Sequence, residues 1–250
     1  MKAFNESISV ARVLERLDQY LARKDYAAAE RHLNYWMAEA ELISDKRSMV
    51  TIANEQIGFY RKQGMKEQAF SASEKALALA EEVGLGGSIT MGTTLINAAT
   101  ACKAFGEAEK ALPLYEKAKE IYQMRLSPDD RRMGGLYNNM ALALKDLGQL
   151  DESMDMFRMA IKVMEKVSGG ELEVAITYCN MADLYAQNGS SDNILPCLRK
   201  AFELISTDSL NRDGYYAFVC EKCAPIFGFY GLQEQENELS ERARIIYEGA

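Results

Sequence analysis

The stretch Leu136-Tyr137-Asn138-Asn139-Met140-Ala141-Leu142-Ala143-Leu144-Lys145-Asp146-Leu147-Gly148, carried on through Phe157 and Ala160, decides the fold. Within it Met140, Ala141, Leu144 and Leu147 fall at i, i+1, i+4 and i+7, an apolar stripe at the helical period. Gly148 then stops the helix, because glycine enters the left-handed conformation of a C-terminal cap at little steric cost. Asp151 stands near the start of a second helix, whose stripe includes Met154, Phe157, Ala160 and Ile161. So short a connection keeps two helices antiparallel. The stretch reads as one helical hairpin.

The hairpin recurs along the chain. Gly64, Gly106, Gly148, Gly189 and Gly231 are spaced by 42, 42, 41 and 42 residues. Twelve residues after each stand Ala76, Ala118, Ala160, Ala201 and Ala243; seven before stand Ile57, Ala99, Ala141, Ala182 and Ala224. Four before come Tyr60, Cys102, Leu144, Tyr185 and Phe227, all large or apolar. Lys24 takes the glycine place in an earlier, less regular copy, with Tyr20, Ala29, Leu33 and Trp36 at the matching offsets. The alanine columns predict sites where helices cross closely. Polar breakers separate the units at Ser44–Lys46, Gly84–Ser88, Ser127–Asp130, Ser168–Glu171 and Thr207–Asp213. Of these, Ser127-Pro128 reads as a helix start, a capping hydroxyl followed by proline at the first helical position. The expectation is an all-α solenoid of six antiparallel helix-pair repeats, over about 10–43, 46–84, 88–126, 129–168, 171–206 and 211–248. It has about twelve helices, no strand, and forms one domain over 1–250. Such repeats bury their apolar faces only against neighbours, which frees the chain from the size limit of a single globular core.

Composition narrows the function. Apolar residues make up 48% of the chain and charged residues 26%, an ordinary soluble balance. The formal charge of −8 repels nucleic acid and anionic lipid, so neither is expected as a partner. The opening Met1 to Ser7 lacks the apolar core of a secretory leader, and no apolar run approaches the roughly 20 residues that span a bilayer. Five cysteines without framework spacing suggest free thiols in a reducing compartment, hence a cytoplasmic protein.

These residues carry a family resemblance. The run from Leu136 through Gly148 to Phe157 and Ala160 looks like a tetratricopeptide repeat, and is similar in particular to the 42-residue form of kinesin light chains and many bacterial proteins. Leu112-Pro113-Leu114-Tyr115 and Leu195-Pro196-Cys197-Leu198, at the same place in repeats three and five, suit that subtype. The resemblance covers about Val10 to Tyr247. It implies a right-handed superhelix with its inner surface lined by the first helix of each repeat, and it implies binding of proteins or peptides there. It does not fix the partner, because one scaffold hosts many.

Candidate partner-binding residues lie on those first helices. Asn97, Asn139 and Asn180 stand nine residues before their glycines, with Asn54 and Asn138 counted beside them; Arg61, Lys103 and Lys145 stand three before. Six residues at 100° each put the two columns about 120° apart, the margins of one face. Gly58, Thr100, Leu142 and Asp183 run between them. An asparagine amide offers donors and an acceptor to the main chain of an extended peptide, and a basic stripe favours acidic groups in the ligand. The competing reading is structural: asparagine recurs because duplicated units share ancestry or because its side chain ties to backbone in the neighbouring repeat, and the basic residues complement the helix dipole by roughly 0.3–1 kcal/mol each. The asparagine column gives way to Glu15, Glu55 and Lys222 in repeats one, two and six. The pattern by which some family members clamp the carboxylate tail of chaperones is not reproduced.

Chemistry is not expected. His32 is the lone histidine, so no triad can be assembled around it. Cys220 and Cys223 form a C-x-x-C pair, with Cys179 and Cys197 a repeat earlier, but they stand at packing columns where cysteine acts as a small hydrophobe. Gly84, Gly86 and Gly87 follow a helix and lack the lysine of a phosphate-binding loop. The methionines, among them Met154, Met156, Met159 and Met164, read as core filler. The sequence therefore points to a non-enzymatic, cofactor-free and metal-free scaffold, cytoplasmic and bacterial. Its first alternative is a peptide-gated sensor resembling the pheromone receptors of Gram-positive bacteria without their DNA-binding domain. Its second is a self-associating assembly protein, with a homodimer formed through a terminal repeat. Pro225 inside the sixth repeat predicts a kinked helix and unusual packing of Ile226 to Tyr230 there.

Overall fold

The computed structural model describes residues 7–249, and the reading of Met1 to Glu6 lies outside them. Among the described residues there are twelve α-helices, one 3₁₀ turn at Ser191–Asn193 and no strand. The chain divides into two compact units, one ending at Leu126 and the other beginning at Ser127.

The first unit holds α1 (Val10–Ala22), α2 (Tyr26–Leu42), α3 (Lys46–Lys62), α4 (Lys66–Glu82), α5 (Ile89–Ala104) and α6 (Ala108–Arg125). The second holds α7 (Arg131–Asp146), α8 (Leu150–Met164), α9 (Glu171–Gln187), α10 (Ile194–Ile205), α11 (Gly214–Phe229) and α12 (Gln233–Gly249). Odd helices pack on the even helices that follow them, so each unit contains three hairpins. Successive first helices also touch, α3 on α5 and α9 on α11. That is the consecutive paired packing of a solenoid.

The turn chemistry explains the period. Gly64 adopts φ +72°, and the Met65 N–H reaches back to the Tyr60 carbonyl at 2.9 Å, closing the helix end. Lys24 adopts φ +56°, and Asp25 N–H makes the same bond to Tyr20 at 2.9 Å. A lysine thus holds the glycine conformation, and the first hairpin keeps its geometry. The alanine columns are buried as the spacing predicts: Ala76, Ala118, Ala160 and Ala201 have no accessible surface. Trp36, in the same column, is only half-buried.

Close approach also explains Gly92 and Gly134. A Cβ on Gly92 would stand 2.5 Å from the Tyr122 ring, and one on Gly134 would stand 2.5 Å from the Met164 sulfur. Each lets a large side chain of the second helix settle onto the first. Ser153 adds a buried polar link between the helices of one hairpin, donating to the Ala141 carbonyl at 2.7 Å.

Two local expectations change. Ser127-Pro128 does not start a helix: Asp130 N–H bonds the Ser127 carbonyl at 3.0 Å in a tight turn, and the Asp130 side chain caps α7 through Arg132 N–H. Proline suits the second position of that turn as well as a helix start. Met159 is exposed rather than core, whereas Met164 is buried. α11 runs from Gly214 to Phe229 through Pro225, which lies on its exposed side.

Candidate functional site

Every first helix between α3 and α11 leaves one stripe uncovered by its own hairpin partner. On α3 it runs through Arg47, Thr51, Asn54, Glu55, Gly58, Arg61 and Lys62; on α7 through Gly135, Asn138, Asn139, Leu142 and Lys145. Asn54, Asn138, Asn139, Arg61 and Lys145 lie on these stripes, whereas Asn180 is buried on α9.

Four asparagines are occupied with one another. In the first unit, Asn97 Nδ2 donates to Asn54 Oδ1 at 2.8 Å, while Asn54 Nδ2 donates to Thr94 Oγ1 at 2.9 Å and to the Val50 carbonyl at 3.0 Å. The second unit repeats the device. Asn138 Oδ1 accepts from Asn180 Nδ2 at 3.1 Å and from Thr177 Oγ1 at 3.3 Å. In both, an asparagine ten residues before one glycine is bound by an asparagine nine before, and a threonine twelve before, the next. These amides tie hairpin to hairpin across α3–α5 and α7–α9. Asn180 is only 8% exposed, so little of it is available to a ligand.

Asn139 differs. It is half-buried on α7 and makes no hydrogen bond among the described residues. Six residues on, Lys145 is likewise half-buried and unpaired, and so is Arg61 on α3. Lys103 is engaged. Thr100 is used inside its own hairpin, donating to the Ile96 carbonyl at 2.7 Å and meeting the Tyr115 hydroxyl at 3.0 Å. Asp183 accepts from the Tyr230 hydroxyl of α11's end at 3.1 Å. Burial and the Asp183 charge push that hydroxyl up to about 12.

Some polar features were not visible in the repeat columns. Gln56 Nε2 and the Tyr60 hydroxyl both donate to Asn34 Oδ1, at 2.9 and 3.2 Å, joining α2 to α3. Arg131 pairs with Glu173 and donates to the Ser168 and Gly169 carbonyls at 3.0 and 3.1 Å. Glu173 in turn meets the Tyr215 hydroxyl, held up to about 12 by burial and by that carboxylate.

The tetratricopeptide repeat profile matches residues 48–124 and 132–206, more than half of the sequence. The chain belongs to the tetratricopeptide repeat family. The crystal structure of a Podosopora anserina putative kinesin light chain with nearly identical TPR-like repeats resembles it at TM-score 0.56 and 17% identity, over 78% of this chain and 92% of that one. BtubC (BKLC) from P. vanneervenii matches at TM-score 0.54 and 16% identity, over 97% and 92% of the two chains. MamA from Desulfovibrio magneticus RS-1, from residue 41 onward, matches at TM-score 0.55 and 14% identity, over 82% and 99%. At such identities the likeness concerns the fold alone. No curated protein matches in sequence.

Tetratricopeptide chains are in general protein–protein interaction scaffolds, and four of the five cysteines here are buried. The Cys179 thiol contacts that of Cys223, and this hydrogen bond, then burial, raise it well above its ordinary value. Burial alone takes Cys197 to about 11, and chiefly burial takes Cys220 there. His32 Nε2 lies 2.9 Å from the Val13 carbonyl, edge-on to Tyr20 and Trp36. Among the described residues no group of three or more His, Cys, Asp or Glu is placed to hold a metal, and no helix is long and apolar enough to cross a membrane.

Proposed function

We propose that this tetratricopeptide chain holds an extended peptide segment of a partner protein against the uncovered stripe of its first helices, in a cytoplasmic setting where its thiols stay free. The carrying observation is Asn139 with Lys145 on α7: an unspent amide and an unpaired cation among the described residues, six residues apart at the two margins of one uncovered stripe. An amide that bonds nothing in its own fold is available to a ligand's main chain, and the cation to an acidic side chain or terminal carboxylate. Asn97 and Asn180 support the fold first and the ligand second, because their amides already serve the ties.

The test starts from a peptide selected from a display library on the intact chain. Its affinity is measured by fluorescence polarisation. Asn139→Ala and Lys145→Glu should each weaken binding at least fivefold with the thermal midpoint unchanged, whereas Asn97→Ala should lower the midpoint by breaking a half-buried tie worth about 1 kcal/mol. Full affinity in both the Asn139 and Lys145 variants would remove the reading.

A second reading, self-association through the last hairpin, is favoured by one observation. Phe229 is 81% exposed on α11, with Ile245 and Tyr247 exposed on α12. Light scattering across concentration, with and without Phe229→Ser, decides it.

A further inference from the structure

The uncovered stripe deepens into a recess between α1 and α3. It encloses about 320 Å³, with Leu17, Leu21 and Phe59 as apolar wall, Gly58 at its side, and Glu55 and Lys62 as its charged groups. Leu17 and Phe59 are buried beneath it, so the wall is fixed by the core. Glycine is what leaves the space open: a Cβ on Gly58 would meet nothing within 4 Å.

Glu55 is half-buried and has neither hydrogen bond nor ion pair among the described residues. Burial first, and then the charge of Asp18 on α1, hold its carboxyl above the usual carboxylate range, with Lys62 offsetting part of this. Asp18 has no bonded partner among the described residues either. In the lining Glu55 faces one lysine, Lys62, with which it closes no ion pair among the described residues, and Asp18 adds a second negative charge from α1. The lysine is exposed and can turn to solvent. An apolar wall that ends at an unpaired, partly desolvated carboxylate matches an aliphatic stem that ends in a cation. Glu55 occupies the column that carries asparagine in repeats three to five, so the recess belongs to the uncovered stripe of α3.

We infer that the recess between α1 and α3 is a subsite for a lysine or arginine side chain of the bound peptide, its stem on Leu17, Leu21 and Phe59 and its charged head at Glu55 beside Asp18. This rests on the reading of the first-helix stripe as the ligand face.

The test is a titration of the intact, ¹⁵N-labelled chain with N-acetyl-lysine amide, N-acetyl-arginine amide and the neutral N-acetyl-norleucine amide at low salt. The two cations should shift the amide signals of Glu55, Gly58 and Lys62 in a saturable way, at least tenfold more tightly than norleucine. Glu55→Gln should weaken the cations about tenfold, and Gly58→Leu should abolish binding by filling the space. Gly58→Ala, which leaves most of the recess, should keep it and so controls for the helix. Equal binding of norleucine, no saturable shift, or cation binding that survives both Glu55→Gln and Gly58→Leu overturns the subsite. The display-selected peptide separates this from the broader reading. If it shifts Asn139 and Lys145 while its basic residues can be replaced without loss, the subsite fails and the ligand face stands. If lysine amide fills the recess but no peptide moves those two residues, the face fails and the recess stands.

Discussion

At the residue scale, Lys24 shows how strongly the hairpin turn dictates its own conformation. Its φ of +56° is one that side chains with a Cβ reach at a cost of about 1–2 kcal/mol, and the bonds around it are those of the glycine turns. Lys24→Gly should therefore stabilise the chain by about 1 kcal/mol, after the extra backbone freedom of glycine in the unfolded state is counted. Urea unfolding should show a higher midpoint with an unchanged slope, and a lower midpoint would mean the lysine side chain supplies something the turn does not reveal. The glycine column was legible because each copy meets the same steric problem at the same place, so even the lysine could be assigned from Tyr20 and Ala29 around it. The asparagine ties were not legible. A column compares one position with itself, whereas each tie joins position ten of one repeat to positions nine and twelve of the next. Asn54 and Asn97 therefore looked like members of a ladder rather than partners, and the difference between Asn97 and Asn139 appeared only in coordinates.

At the element scale, the starts of α2, α3, α7 and α11 are each capped by an aspartate placed just before them. Asp45 accepts from Ser48 N–H at 3.2 Å and Ser48 Oγ at 2.7 Å, and it also receives the Ile8 N–H at 3.0 Å, so one side chain caps α3 and fastens the segment ahead of α1. Burial works to raise its carboxyl, but these hydrogen bonds from Ser48 and Ile8 outweigh it and leave the group below its ordinary value. A folded carboxylate held below its unfolded value contributes stability that is complete above about pH 3.9 and is lost as the pH falls through the folded value. Asp45→Ala should cost about 1–2 kcal/mol at neutral pH, with the gap to the parent chain closing as acid protonates the group. Paired thermal melts at pH 7 and at pH 3 measure it; an equal gap at both would deny the charge its role. The cap at α7 was misread for a related reason. Ser127 and Pro128 satisfy the local rules of a helix start, but they satisfy those of a turn equally, and the choice falls to where Met133, Leu136 and Tyr137 must point to be buried.

At the scale of the whole molecule, burial is distributed very unevenly along the chain. α3 contributes nine buried residues and α9 contributes ten, while α1 has only Val13 and Leu17 and α12 only Leu239 and Ala243. A helix flanked by a hairpin on each side covers two apolar faces; a terminal one covers a single face, and the energy of a repeat array is close to a sum of such neighbour terms. The number of repeats was readable from period alone, but the division at Leu126 and Ser127 was not, since Ser127–Asp130 resembles the other breakers in composition. With about 25 cal/mol of stabilisation for each Å² of apolar surface withdrawn from water, the poorly buried ends should open far below the free energy that opens α3 or α9. Hydrogen exchange followed by mass spectrometry should find α1 and α12 exchanging first and α3 and α9 last, at a pH where the chain is stable. Uniform protection across all four helices would mean that opening is one cooperative event, and that the energy is not held hairpin by hairpin. The recess at Glu55 lies between one helix of each kind, α1 and α3, so a cation bound there should slow exchange in α1 more than in any helix of the second unit.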